Sequence, residues 1–299
     1  MRSKKELWKS SVKPFSYNFY FPQRNMKSSI QETLKTCRQN RSAVLATNFY
    51  NYETLWAILQ AASQTQSVVI LQLTKSSIDY MGLEMAVTMG RQGLADFGLQ
   101  GWLHLDHANS VPFIKRCLDA GFDSVMIDAS EKDFDENVAL TKTVVAMARP
   151  YGANVEAELG YIAKLGQPQQ GGFTTPEEAR KFATLTKVDA LAVAIGSAHG
   201  FYKETPQLAI DRLAEIREAT EVPLVLHGSS GIPSVQVREA IRHGICKVNL
   251  ATEIKDHFMQ ALKRILPDSQ EIDLRKVFPA AVAPVVEMLK KKYEMVNLR

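Results

Sequence analysis

Cysteine and histidine are both scarce in this 299-residue chain, which has three of the first and six of the second. Cys37, Cys117 and Cys246 are widely separated, odd in number and form no CxxC pair. That spacing argues against a disulfide framework and against a structural thiolate metal site, and a reducing cytoplasm is the expected compartment. Long hydrophobic runs are missing too, so no segment reads as a membrane span. Nor does the body of the chain carry a charge of one sign. The formal net charge of +4 arises in residues 1–25, where Arg2, Lys4, Lys5, Lys9, Lys13 and Arg24 stand against Glu6 alone. The remainder holds 30 basic and 31 acidic side chains, which offers no basic face to a nucleic acid. Neither nucleic acid nor membrane is an expected partner. The leading segment lacks a helical apolar period and a signal-peptide core, so residues 1–27 read as a flexible extension, with a transit segment as the less favoured alternative. Met26 opens an amphipathic stretch and would suit an alternative start.

What is present is a regular alternation. Short apolar runs rich in β-branched residues occur at 43–49, 67–73, 102–106, 123–128, 153–158, 188–195, 222–227 and 245–250, as expected of strands covered on both faces. Helical periods lie between them, for example Leu55, Leu59 and Ala62, then Val138, Val144, Val145 and Ala148. Thr175-Pro176-Glu177-Glu178 has the pattern of an N-cap, a proline at the first helical position and a capping-box glutamate. Gly121 and Gly244 sit where left-handed residues end helices. Eight βα units over residues 28–299 predict a single α/β domain, a closed (β/α)8 TIM barrel. A doubly wound open sheet is the runner-up, but no GxGxxG follows the first strand.

In such a barrel the chemistry belongs at the carboxyl ends of the strands. The residues expected there are Asn48, Thr74, Asp106 with His107, Asp128, Glu158, His199, His227 and Asn249. Half of the histidines therefore fall at strand exits, and three imidazoles with an open fourth position suit a catalytic Zn²⁺. Asp106 is the acid/base candidate, and Asp128 is read as a carboxylate that orients an imidazole. His104 shares a strand face with Asp106 and reads as interior packing or as a support behind the metal ligands, while His243 and His257 fall on helices and read as solvated. The small loop His227–Gly231 and the helix opening after Asn249 are candidate phosphate cradles. Residues 160–172 form the longest irregular stretch of the body and read as a lid over the mouth.

The runs HLDH (104–107), GFDSVMIDAS (121–130), NVEAELG (154–160), LAVAIGSAHG (191–200), VLHGSSG (225–231) and KVNLATE (247–253) resemble the class II, metal-dependent ketose-bisphosphate aldolases, and most nearly the bacterial tagatose-/fructose-bisphosphate type. The resemblance extends from about residue 28 to the C-terminus. It implies Zn²⁺, or another divalent metal, on His107, His199 and His227, with Glu158 as an alternative ligand and a monovalent cation as a further companion. It implies Asp106 as the proton-transferring residue. Asn48, Gly200, Gly228, Ser229, Ser230, Asn249, Leu250, Ala251 and Thr252 would hold the substrate and its dihydroxyacetone phosphate half. Arg275 would reach the other phosphate from a neighbouring subunit, so a homodimer or homotetramer is expected. The implied activity is reversible aldol cleavage of a ketose bisphosphate, in carbohydrate metabolism and glycolysis.

Several positions depart from the family pattern. Ser229 stands in place of glycine, Ala198 in place of a common serine, Leu274 in place of proline, and Thr74–Ser77 in place of Ser-x-Gly-Ala. Phe49–Tyr50 makes the first strand exit bulkier. These changes bear on the substrate more than on the reaction, and would suit a specialised sugar phosphate. Two rivals remain: a Schiff-base aldolase, for which Lys247 is the one inner-strand lysine, and a sugar-phosphate-binding protein that holds metal without turnover.

Overall fold

Eight parallel strands close into a barrel in sequence order in the computed structural model, which describes residues 28–160, 162, 172–202 and 204–297. Residues 1–27, and the 160–172 loop apart from Gly160, Ile162 and Gly172, lie outside the described residues. Both the extension and the lid read from the sequence fall there. The strands are β1 (Val44–Asn48), β2 (Val69–Thr74), β3 (Gly101–Ala108), β4 (Ser124–Ile127), β5 (Asn154–Leu159), β6 (Ala190–Val193), β7 (Leu224–Leu226) and β8 (Ile245–Leu250). β8 returns to β1 through Val44↔Lys247 and Ala46↔Asn249, which completes the ring. β1, β4, β5, β6, β7 and β8 are buried along their whole lengths, because one face meets helices and the other meets the barrel interior. That double burial is why they read as unbroken apolar runs.

Helix α1 (Ile30–Asn40) starts at Ser29, whose hydroxyl accepts from the Glu32 amide while Glu32 reaches back to the Ser29 amide. Ile30, Leu34 and Cys37 on this helix pack with Val44, Ile70, Trp102, Ala190 and Cys246, residues at or near the amino ends of their strands. α1 therefore closes the amino-terminal end of the barrel. Around the outside run α2 (Tyr52–Gln64), α3 (Lys75–Met81), α4 (Leu83–Asp96), α5 (Val111–Asp119), α6 (Phe134–Ala148), α7 (Pro176–Thr186), α8 (Ile210–Ala219), α9 (Ser234–Arg242), α10 (Thr252–Ile265) and α11 (Leu274–Val296). α7 has the capping box that its sequence predicts, with Pro176 in the first turn. Gly121 and Gly244 adopt φ of 93° and 125°, as expected past helix ends. The three cysteines are buried free thiols.

Two regions differ from the sequence expectation. Residues 75–96, where no helical period is read from the sequence, form α3 and α4, which break at Gly82 with φ of 84°. α4 buries Leu83, Ala86, Gly90 and Leu94 on one face, and a methyl at Gly90 would come within 2.6 Å of Leu103 Cδ2. α11 contains Pro279 and Pro284 and still continues for 23 residues, because its buried face, including Val285, Leu289 and Tyr293, packs over α2 and α10. Tertiary packing there outweighs two residues that ordinarily end a helix.

Candidate active site and metal centre

Asp106 and His107 are adjacent in a strand, where successive side chains should face opposite ways. His107 instead has φ of 48°, and the β3–β4 register slips between Leu105 and Ala108. A bulge of this kind re-aims a side chain at the rim of a barrel, and the left-handed backbone is local strain of a sort found at functional sites. Both residues consequently face the mouth, where Asp106 Oδ1 lies 4.0 Å from His107 Nε2.

Three imidazoles meet at this point. His199 lies beyond β6 and His227 one residue beyond β7, and their rings stand 5.9 Å apart, each 4.7 Å from the ring of His107. His107 Nε2 and His227 Nδ1 approach to 2.8 Å. Together with Glu158, at the end of β5, they offer four ligand atoms that all lie within 4.8 Å of one another. Metal–nitrogen bonds of about 2.0–2.1 Å allow one divalent ion to serve such a set after small side-chain adjustments. Glu158 Oε2 is buried and has no hydrogen-bond partner, an orphan acceptor aimed at the cluster.

Carboxylates orient the rings. Asp128 Oδ2 accepts from His107 Nδ1 at 2.7 Å, as expected of it, and its other oxygen accepts from the Ser130 amide and hydroxyl. Burial disfavours charge on His107, but Asp106, Asp128 and Glu158 outweigh burial and lift its pKa to about 9. Burial raises Glu158 to about 8, with the charge of Asp128 adding to it. Burial, with the nearby charges of His107 and Lys247, holds His227 well below the ordinary imidazole range. Asp106 would also be raised by burial, but His107 and Lys247 overcome this and lower it. Its two oxygens accept from Asn48 Nδ2 at 2.9 Å and Asn249 Nδ2 at 3.4 Å, so Asp106 is a fixed carboxylate beside the cluster.

A small cavity at the mouth joins these groups to the two candidate anion loops. Asn48, Asp106, His107 and His199 line it together with Gly200, Gly228, Ser229, Ser230, Asn249, Ala251 and Thr252. Gly228 has φ of 64°, and a Cβ there would sit 2.3 Å from the Ala198 carbonyl oxygen, so only glycine fits. The loops are tied together. Ser229 Oγ donates to the Asn249 carbonyl at 2.5 Å, Ser230 Oγ accepts from the Glu253 amide at 3.3 Å, and Glu253 Oε1 accepts from the Gly231 amide at 2.7 Å. Lys292 of α11 pairs with the same Glu253 oxygen at 2.8 Å.

Some expected residues stand apart. Leu250 is one position out of phase with Asn249 and buries its side chain in the outer core, leaving only its backbone for a ligand. Arg275 is exposed at the start of α11 and pairs with Asp273, away from the cavity lining. Thr74 caps α3 through the Ser77 amide. His243 caps α9 and His257 sits on α10, each half-buried with its Nδ1 on a backbone carbonyl. Sequence reasoning passed over Glu156, Glu253 and Lys292. Glu156 did carry a signal, since it lies two residues before Glu158 on the same strand face.

A family model described as fructose-bisphosphate aldolase class-II matches residues 28–299. The chain belongs to this family. This class II aldolase is similar to the crystal structure of the YdjI aldolase from Escherichia coli K12, with 32% identity, coverage of 91% of this chain and 98% of that one, and a TM-score of 0.80. It is also similar to a candidate fructose-1,6-biphosphate aldolase from Coccidioides immitis, at 29% identity, with coverage of 91% and 97% and a TM-score of 0.82. Fructose-bisphosphate aldolase from Campylobacter jejuni, at 20% identity, shares the fold with a TM-score of 0.78 over 89% and 93% of the two chains. Aldolase chemistry makes the protein a carbon–carbon lyase. No described helix is long and apolar enough to cross a membrane.

Proposed function

We propose that this aldolase reversibly cleaves a ketose bisphosphate of the fructose- or tagatose-1,6-bisphosphate type to dihydroxyacetone phosphate and an aldehyde such as glyceraldehyde 3-phosphate, in the cytoplasm. The observation that carries this reading is the meeting of three imidazoles with a fixed carboxylate beside two glycine- and serine-lined loops. The donor set fits a divalent ion of the zinc type: three nitrogen ligands from His107, His199 and His227, with Glu158 as the alternative carboxylate ligand. When bound, such an ion supplies Lewis-acid polarisation of the ketose C2 carbonyl.

The chain's own residues do the rest. Asp106, held by Asn48 and Asn249, takes the proton of the C4 hydroxyl as the C3–C4 bond breaks. The bonding pair moves toward the C2 carbonyl, a proton is then delivered to C3 to complete dihydroxyacetone phosphate, and the condensation direction reverses each transfer. The loops at Gly228–Ser230 and Ala251–Thr252, with Gly200, hold the phosphate on C1 and so fix the scissile bond against Asp106. Ser229 turns its hydroxyl onto the Asn249 carbonyl, so the change from glycine braces the loop. Arg275 supplies the distal phosphate contact across a homodimer or homotetramer interface; its full exposure on one protomer is compatible with that role. Tyr50, kept protonated by burial and by Asp106, makes the first strand exit bulkier and favours a specialised ketose phosphate as the second reading.

A Schiff-base route is disfavoured. Lys247 is buried and ion-paired with Glu156 at 2.8 Å, so its nitrogen is committed as a donor. Triose-phosphate release from a panel of ketose bisphosphates and monophosphates tests the proposal. Cleavage should vanish on thorough chelation and return with zinc, and borohydride with substrate should trap nothing. Activity that survives metal removal, or binding without release across the panel, would overturn it.

A further inference from the structure

Beneath the imidazole cluster a chain of buried polar side chains crosses the barrel interior, and the cleavage mechanism makes no use of it. Asn154 on β5 donates to Ser124 Oγ on β4 at 3.0 Å, and Ser124 Oγ lies 2.7 Å from His104 Nδ1 on β3. His104 Nε2 is 3.3 Å from Lys247 Nζ on β8, and Lys247 Nζ is 2.8 Å from Glu156 Oε2 on β5. Glu156 Oε1 ends the chain 2.8 Å from His227 Nε2. None of these six side chains belongs to a residue more than 1% exposed.

The direction of every bond follows from the lysine. An ammonium group has donors only. By donating to His104 Nε2 it leaves the His104 proton on Nδ1, facing Ser124. Glu156 Oε2 accepts from the ammonium, and its second oxygen faces His227 Nε2 as an acceptor. His227 must then carry its proton on Nε2 and keep the lone pair on Nδ1. That nitrogen faces the cluster, 2.8 Å from His107 Nε2 and 4.0 Å from Glu158 Oε2. Asn249 Nδ2 lies 3.2 Å from His227 Nε2, but two donors make no bond, and this amide serves Asp106.

A buried ion pair is a poor source of stability, since well-packed apolar residues can often replace it without loss. A Lys–Glu pair deep in a barrel therefore calls for another reason. We propose that Lys247 and Glu156 are positioning residues that fix His227 as an Nδ1 ligand, so that the metal centre of the proposed mechanism, on which this inference rests, is set up before any ion arrives. A hydrogen bond from the far nitrogen of a ligating histidine to a carboxylate fixes both tautomer and ring orientation, and loss of such a partner typically weakens metal binding about 10- to 100-fold.

Two measurements test this. In zinc-free protein carrying ¹⁵N-labelled histidine, the His227 resonances should report the Nε2-protonated tautomer. In Glu156→Gln, whose amide can present a donor to the same nitrogen, the tautomers should mix and zinc affinity, read by competition with a chromophoric chelator, should fall about 10- to 100-fold. Lys247→Met should shift both readouts in the same direction. Wild-type His227 protonated on Nδ1, or Glu156→Gln with unchanged tautomer and unchanged zinc affinity, would overturn the inference. The wild-type tautomer decides the matter even if the variants fail to fold. Wild-type protein that binds no zinc would remove the metal-centre reading and this inference together, whereas wild-type binding with indifferent variants removes this inference alone.

Discussion

His107 holds Asp128 at 2.7 Å through one ring nitrogen and faces His227 at 2.8 Å through the other. A left-handed backbone at His107 makes this double contact compatible with Asp106 facing the same space. The proposed acid/base group and a proposed metal ligand are thus placed by one bulge.

Metal binding should depend on pH in a defined direction. The pKa of His107 is about 9 in the metal-free protein, so at neutral pH an incoming ion must displace a proton from it. Zinc affinity should rise with pH up to about 9, with roughly one proton released per ion at pH 7.5. Calorimetry in buffers of different ionisation enthalpy measures that release, and none at all would contradict the assignment.

Stability of the metal-free protein should run the opposite way. His107 and Glu158 both have folded pKa values, about 9 and about 8, above their unfolded ones. The folded chain therefore holds more protons than the unfolded chain, and the contribution present at low pH is lost as pH rises toward 9. His104 and His227, which burial holds well below the ordinary imidazole value, act in the opposite sense near pH 6, so the melting temperature without metal should fall between pH 7 and pH 9, and zinc should restore it. A rising melting temperature over that window would count against both shifts.

Asp106→Asn should lower kcat for cleavage by about 10²- to 10⁴-fold, the range expected for loss of a positioned general base. Zinc binding should persist, because the substitution leaves all three imidazoles intact. Parallel loss of zinc would show that Asp106 supports the ion rather than the proton transfer.

Glu253→Gln should act on substrate binding. Its carboxylate accepts from the Gly231 amide and pairs with Lys292, tying the β7 loop to α11. Hydrogen bonds to charged groups contribute about 1.5–3 kcal/mol, so KM should rise roughly tenfold or more while kcat changes little. Equal effects on both constants would argue against a brace for phosphate binding.

The strands and their exits were legible because double burial makes each strand a short apolar run, and the polar residues that end it stand out. Asp106, His107, Asp128, Glu158, His199, His227 and Asn249 could all be picked by that contrast. Glu156 was passed over although it shares a strand face with Glu158, because a charged residue inside a strand gains its meaning only when Lys247 is seen beside it. α3 and α4 were passed over because Gly82, Gly90 and Gly93 interrupt the run, although Leu83, Ala86, Gly90 and Leu94 form one buried face. α11 was hidden by Pro279 and Pro284, and only its neighbours α2 and α10 explain why it persists. The Glu253–Lys292 brace joins residues 39 positions apart on two helices, a pairing no local pattern encodes.

α1 seats Ile30, Leu34 and Cys37 against the amino-terminal floor of the barrel. Among the described residues the barrel thus has a hydrophobic base below and a polar rim above, where Asp106 stands, and the Lys247–Glu156 pair lies buried between the two.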